Sequence, residues 1–333
     1  MAPLSDIANI SFKVEIGFSL SSEEHGPRAL VRQAAMAEEA GFGFASVSDH
    51  YHPWIDQQGQ SPFVWTTLGA IAQATSRLRV GTGVTCPLIR IHPAIIAQAA
   101  ATTQEMFEGR FFLGVGTGEN LNEHILGDRW PRPSIRQEML AEAIDLIRHL
   151  WEGGDKSFEG DYFEVDRARI YTLPQPLPPI YVAAVGKSTA ELAGQKADGF
   201  ISTTPKRELI EAFHGAGGKG KPRYGQMTVC WARDEQKAVD SVMKWWPIIG
   251  IGNELNPELP TPRDFESACS TVRPDDVRSI PLGPDPERHL ASLRKYAEAG
   301  YDHVYIHQVG PDQEGFVRFY EKEVLPAAAR LAA

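Results

Sequence analysis

The chain has 333 residues, 42% apolar and 23% charged, the make-up of a globular enzyme with one large or two smaller α/β domains. A net charge of −10 (33 basic against 43 acidic residues) argues against general nucleic-acid binding but not against an anionic small ligand. No apolar run is long enough to span a membrane, the first residues lack the basic start and apolar core of a secretory signal, and Cys86, Cys230 and Cys269 are too scattered for a disulfide framework or a zinc site, so a cytoplasmic protein is expected.

In chain order, strand and helix patterns alternate. Residues 13–18 read as a strand and 27–40 as a helix ending on Ala40 and Gly41. Phe42, Phe44, Ala45 and Val47 then form a short β-prone apolar run, the pattern of a buried parallel strand. Helix 64–74, strand 78–82, helix 93–107 with proline near its first turn, strand 111–115 and amphipathic helix 134–151 follow. Later strands are expected at 180–184, 199–202, 227–232 and 304–307, and helices at 188–195, 286–299 and 313–331. Eight strands, mostly separated by helices, predict a (β/α)8 TIM barrel, one α/β domain over 1–333. A doubly wound sheet is the runner-up, although the Gly-x-Gly-x-x-Gly turn expected after its first strand is missing. Two stretches fall outside the repeat. Residues 155–178, with Phe158, Tyr162, Phe163 and several prolines, suggest a hairpin excursion, and 245–285, rich in Pro, Gly and Asn, an insertion or lid near the seventh strand.

In parallel α/β folds, binding and catalytic groups collect at the C-terminal ends of strands. Asp49 and His50 fall there, in Ser48-Asp49-His50-Tyr51-His52-Pro53-Trp54. A histidine so placed is either a proton carrier near neutral pH or a helix-capping or loop residue. The third strand leads into Gly83-Val84-Thr85-Cys86-Pro87 and the fourth into Gly114-Val115-Gly116-Thr117-Gly118-Glu119. Such glycines let backbone approach a ligand closely, or merely form a tight connection. Glu119 is correspondingly either held by a ligand or partner, or a solvated loop carboxylate. In a barrel His50 and Glu119 would face one mouth and supply a base and an acid. Trp54 and Trp65 offer a flat apolar wall or core packing. His52 and His92, beside prolines, read as structural. No metal is expected, and no Gly-x-Ser-x-Gly elbow supports a serine hydrolase.

Together with Pro93-Ala94-Ile95-Ile96-Ala97-Gln98, these runs resemble the luciferase-like superfamily, and within it the coenzyme F420-dependent dehydrogenases, the branch holding glucose-6-phosphate dehydrogenase and the secondary-alcohol dehydrogenase of methanogens. The resemblance extends from about Val14 to Leu325, is most specific over the first 125 residues and weakens over 205–285. It implies a bacterial-luciferase-like barrel with a deazaflavin across its C-terminal mouth, hydride passing from a substrate carbon to C5 of that ring, and a homodimer. By matching position, His50 would take the substrate hydroxyl proton, Glu119 would donate a proton at the other end of the ring system, Trp54 would flank the reaction centre and Glu23 would lie near it. Asp49, Gly83, Val84, Cys86, Gly116, Thr117, Gly118, Asn122, Ala183, Ala184 and Gly186 would contact the coenzyme, with a non-proline cis peptide at Gly83–Val84. Lys206 and Trp246 would contact substrate. Lys206 matches one lysine of the family's phosphate site, but the other two cationic positions fall near Asn256 and Ser279, with Arg263, Arg273 and Arg278 as replacements nearby. A phosphate dianion wants several charge-assisted donors, so a neutral alcohol or unphosphorylated sugar is expected over a sugar phosphate. The superfamily also contains flavin-dependent monooxygenases, which makes FMN the alternative coenzyme, and a coenzyme-binding protein without turnover is a third reading.

Overall fold

The computed structural model describes residues 14–252 and 255–331; Lys13, placed above in the first strand, and the N-terminal residues lie outside them. In chain order the strands are β1 (Glu15–Leu20), β2 (Phe44–Val47), β3 (Arg79–Thr82), β4 (Phe111–Val115), β5 (Lys156–Glu159), β6 (Glu164–Ala168), β7 (Ile180–Ala183), β8 (Gly199–Ser202), β9 (Arg223–Val229) and β10 (His303–Gln308). The helices are α1 (Pro27–Ala40), α2 (Val64–Ala74), α3 (Pro93–Met106), α4 (Asn120–Glu123), α5 (Pro133–Trp151), α6 (Lys187–Lys196), α7 (Arg207–Phe213), α8 (Glu235–Trp245), α9 (Pro262–Cys269), α10 (Pro286–Ala299), α11 (Gln313–Phe319) and α12 (Leu325–Leu331). Eight strands pair in parallel in the order β1-β10-β9-β8-β7-β4-β3-β2 and close on themselves, while β5 and β6 form a separate antiparallel pair. Closure rules out the doubly wound sheet, because β1 pairs with β10 as well as β2.

Local sequence fixes the helix ends. Proline stands in the first turn of α1, α3, α5, α9 and α10, where its missing N–H leaves no bond unmade. Gly41 and Gly300 end α1 and α10 at φ 93° and 104°, a left-handed conformation that other residues resist. The barrel interior is filled by Phe44, Phe112, Tyr181, Ile201, Tyr224 and Tyr305, with Val84 and Ala183 packed on top. Rings this large fit because facing positions are bare: a Cβ on Gly17 would lie 2.5 Å from Phe44, and one on Gly199 2.6 Å from Tyr181. Outside the barrel, the apolar faces of the helices form the larger core, to which α5 contributes Leu140, Ile144, Ile147 and Leu150.

The segment between β9 and α10 builds a second core. Val239 and Val242 of α8, Trp246, Ile248 and Phe265 of α9 pack with Ile55 from the loop after β2 and Leu121 of α4. This places α8 and α9 over the strand ends that carry His50 and Glu119.

Several expected boundaries move. Strand β9 starts at Arg223, not 227, because Arg223 is held by Asp302 at 2.5 Å and Tyr224 fills the barrel, although Arg and Gly interrupt the apolar run; it also ends at Val229, short of Ala232. The helix expected at 313–331 is divided by a wider turn at Tyr320–Val324. Helices α4, α7, α8 and α9 were not foreseen.

Candidate active site

The turn after β1, Ser21-Ser22-Glu23-Glu24, enters the C-terminal mouth of the barrel. Glu23 is buried there, its Oε2 accepting hydrogen bonds from Ser48 Oγ (2.7 Å) and Ser21 Oγ (3.0 Å) while Oε1 lies 3.3 Å from His50 Nε2. Burial alone would favour the neutral acid, but the His50 imidazole and the Ser48 hydroxyl outweigh it and hold the Glu23 carboxyl below its ordinary value. His50 comes from the loop after β2. Its Nδ1 is 3.1 Å from the His52 carbonyl and 3.2 Å from Asn122 Nδ2. One ring position therefore offers Nδ1 one partner in each protonation state. The neutral ring donates from Nε2 to Glu23 and accepts at Nδ1 from Asn122, and the imidazolium donates from Nδ1 to the His52 carbonyl. A group that takes up and releases a proton needs that tolerance.

Asn122, on α4, ties this base to the carboxyl of Glu119. Its Oδ1 accepts from the amides of Tyr51 (2.8 Å) and His52 (3.2 Å), which fixes the amide so that Nδ2 points to His50 and to Glu119 Oε2 at 3.4 Å. Trp54 closes one side, its ring 5.0 Å from His50 and 5.1 Å, edge-on, from Phe265 of α9. Trp246 stands edge-on to His307 at 4.4 Å.

Beside these groups lies a flat, apolar floor. Val84 and Ala183 cap the barrel core, and the Gly83–Val84 peptide is cis. Gly116 leaves the surface between them bare: a Cβ there would lie 2.8 Å from Val84 and 3.6 Å from Ala183. A Cβ on Gly118, at φ 71°, would meet Cys86 Sγ at 2.5 Å. Beneath the rim, Arg90 pairs with Asp49 at 2.8 Å and donates its backbone N–H to Glu123 at 2.8 Å, and Thr85 donates its hydroxyl to Asp49. Gly186 precedes α6, and nothing lies within 4 Å of the place its Cβ would take, so the first turn of that helix opens on free space.

A family model described as luciferase-like monooxygenase matches residues 10–303. The chain belongs to that luciferase-like family. It is similar to F420-dependent glucose-6-phosphate dehydrogenases of Nakamurella multipartita (35% identical, covering 94% of this chain and 96% of that one) and Amycolatopsis mediterranei (36%, covering 94% and 98%). A solved F420-dependent secondary alcohol dehydrogenase, in complex with an F420-acetone adduct, superposes with a TM-score of 0.87 at 29% identity over 95% of this chain and 99% of its own. The coenzyme F420-dependent tetrahydromethanopterin reductase of Methanopyrus kandleri shares the fold at a TM-score of 0.76 and 21% identity, over 95% and 99% of the two chains. The resemblance read from the sequence, and the barrel it implied, are borne out.

In this luciferase-like barrel His50, Glu119, Asn122, Glu23 and Trp54 come together at one end. Val84, Gly116 and Ala183 form the floor beside them. Asp49 and Cys86 face inward: the Asp49 carboxylate is taken up by Arg90 and Thr85, and burial, with Glu123 and Glu119 nearby, pushes the Cys86 thiol well up, which leaves a neutral thiol. Lys206 is exposed, just ahead of α7. Trp65 does not join Trp54; it packs on Phe111, outside the barrel. His52 Nδ1 donates to the Leu121 carbonyl at 2.8 Å, and His92 caps α3. His303 and His307, four residues apart, have the spacing of a helical ligand pair but lie on strand β10, where such residues stand roughly 13 Å apart.

Sequence reasoning passed over Ser21 and Ser48, which hold Glu23, over Arg90, and over Glu24 and His307 behind Glu23. One signal was available for the first group: two serines and two glutamates at the end of a buried strand.

Proposed function

We propose that the chain is a coenzyme F420-dependent dehydrogenase that removes hydride from the hydroxyl-bearing carbon of a neutral alcohol or unphosphorylated sugar and leaves a carbonyl. The observation that carries this reading is the Asn122 amide, which joins His50 and Glu119 at the edge of the floor made by Val84, Gly116 and Ala183. An apolar floor cleared of side chains fits a planar tricyclic ring, and the open first turn of α6 at Gly186 fits an anionic group attached to it. The deazaflavin, when bound, supplies a two-electron hydride acceptor.

The remaining work falls to the chain. Oxidation of an alcohol releases a hydride from carbon and a proton from oxygen. His50 takes the hydroxyl proton, and the Glu23 carboxylate, 3.3 Å away, stabilises the imidazolium that results. Glu119 holds a proton for the far side of the ring, oriented by Asn122. Trp54, backed by Phe265, excludes water from the reacting carbon, and the 245–285 segment acts as a lid through that contact. Lys206 and Trp246 line the substrate side. One exposed lysine is by itself a weak seat for a phosphate dianion, and of the three arginines nearby Arg278 is already committed to Glu235 at 2.6 Å and Asp275 at 3.3 Å. The second reading, glucose 6-phosphate as substrate, is favoured by the names of the curated relatives.

The test mixes the protein with oxidised F420 and a panel of secondary alcohols, free sugars and sugar phosphates, and follows loss of the coenzyme's visible absorbance. Bleaching by a neutral substrate supports the leading reading, bleaching by glucose 6-phosphate alone supports the second, and none by any of them sinks both. Parallel titrations with F420 and FMN separate a dehydrogenase from a flavin monooxygenase. We also place the enzyme in the cytoplasm as a homodimer. Its three cysteines are free, and Phe63, Ile95 and Met106 expose apolar surface on and beside the packed helices α2 and α3. Light scattering tests the dimer.

A further inference from the structure

The turn after β1 buries a second carboxyl behind Glu23. Glu24 Oε1 accepts the Gly310 amide at 3.1 Å, and its Oε2 lies 3.9 Å from His307 Nε2. The two side chains are 1% and 3% exposed, and among the described residues neither Oε2 nor Nε2 has a hydrogen-bond partner. Two buried orphan atoms facing one another are costly unless one of them carries a proton to share. The other ring nitrogen, His307 Nδ1, is 3.4 Å from Thr228 Oγ1. A proton on Nδ1 directed to Thr228 makes Nε2 an acceptor, and a proton on Glu24 Oε2 makes that oxygen a donor, since Oε1 is already accepting.

We propose that Glu24 is a positioning residue that, as a neutral carboxylic acid, donates from Oε2 to His307 Nε2 and so fixes the imidazole on which Trp246 packs. Closing the gap takes a side-chain movement of about 1 Å. The alternative, a proton on His307 and a charge on each partner, is disfavoured: burial and the neighbouring Glu23 charge push Glu24 up to about 8, against the pull of the Gly310 amide, and burial pushes His307 down to about 4. The other titratable groups facing Glu24 are Glu23 and His25 from its own turn and Cys230 from the end of β9. Glu23 is held charged, burial pushes His25 down to about 4, and burial pushes the Cys230 thiol up to about 12. Between pH 6 and 9, roughly, Glu24 is therefore the member of this set whose charge changes. Once ionised, its Oε2 faces the Nε2 lone pair and the charge of Glu23, the contact opens, and Trp246 loses its backing. What the pair positions rests on the dehydrogenase reading; the pair itself does not.

The test uses the full chain labelled with nitrogen-15 histidine, free of coenzyme and substrate, with the His307 signal identified by its loss in His307→Gln. The expected result is an Nδ1–H tautomer at neutral pH and a shift of the Nε2 resonance, with a midpoint near pH 8, that Glu24→Gln abolishes. An Nε2–H tautomer, or a shift that persists in Glu24→Gln, overturns the proposal. In the working enzyme, the rate of F420 reduction falls as pH rises past that midpoint, by about tenfold per unit, and Glu24→Gln removes the fall; an unchanged alkaline limb overturns the proposal. A coenzyme that no substrate reduces overturns the dehydrogenase reading instead, and the tautomer and its pH step then decide the pair alone.

Discussion

His50 is held from three sides, by Glu23 at Nε2 and by the His52 carbonyl and Asn122 amide at Nδ1, so its loss removes a proton carrier without opening the coenzyme floor. His50→Ala is expected to bind F420 with near-native affinity and to lose roughly 10²–10⁴-fold in kcat, the range for one positioned acid–base group. Equal losses in binding and turnover would show that the ring holds the coenzyme rather than the proton. Asn122→Ala touches neither reacting group directly but frees both His50 and Glu119. A misplacement of about 1 Å costs on the order of 10²-fold, so kcat should fall by about that factor with coenzyme affinity little changed. Titration of the coenzyme alongside steady-state rates separates the two effects. The role of Asn122 as the joint between base and acid was not legible in the sequence, because its orientation is set by the amides of Tyr51 and His52, 71 and 70 residues away.

At the level of elements, the sequence spoke clearly wherever a short local signal sufficed. Proline at the start and glycine past the end fix both boundaries of α1 and α10 at the residues expected from pattern alone. Each barrel strand announced itself at least in part by apolar residues, β9 only over its second half, because helices cover the strands outside and rings fill the barrel inside. Helices α8 and α9 stayed hidden because their buried residues, Val239, Val242 and Phe265, are scattered among charges in a stretch rich in Pro, Gly and Asn; their apolar faces have meaning only against Ile55, Leu121 and Trp54 from distant parts of the chain. The glycines after the third and fourth strands were legible as places of close approach, whereas the clearance that Gly17 makes inside β1 was not. Gly17→Ala, with its Cβ 2.5 Å from the Phe44 ring, is expected to destabilise the protein by about 1–3 kcal/mol, read as a lower urea midpoint at an unchanged slope. Gly116→Val should weaken F420 binding at least tenfold, since its branches stand on the floor where the ring lies, and should also cost some stability, since its Cβ would lie 2.8 Å from Val84. Native F420 affinity in Gly116→Val would remove the floor from the site.

On the scale of the whole molecule, closure of β1 on β10 determines how stability responds to pH. It brings Glu24 to Gly310, 286 residues away in sequence, and seals Glu24 and His307 from water. Burial holds His25, His289 and His307 down at about 4, so each is neutral in the fold but recovers its ordinary value when the chain unfolds. As pH falls below about 6.5 the unfolded chain gains protons that the folded one does not, and stability declines toward pH 4. Glu24 acts in the opposite sense: raised to about 8, it keeps its proton in the fold while the unfolded chain loses it above about 4.5, so its contribution declines as pH rises between those values. His303, raised by Asp302 and Glu15 against the effect of burial, adds to the decline on the alkaline side. Three histidines against one carboxyl leave a net uptake of about two protons on unfolding near pH 5.5, a slope of roughly 2–3 kcal/mol per pH unit. The urea midpoint is therefore expected to peak between about pH 6 and 7 and fall on both sides. Glu24→Gln should flatten the alkaline side and steepen the acid side, since the uptake of the three histidines near pH 5.5 is then no longer offset. A midpoint that rises steadily from pH 6.5 to 8.5 in the wild type would show that Glu24 is already ionised in the fold, and with that its bond to His307 would be lost.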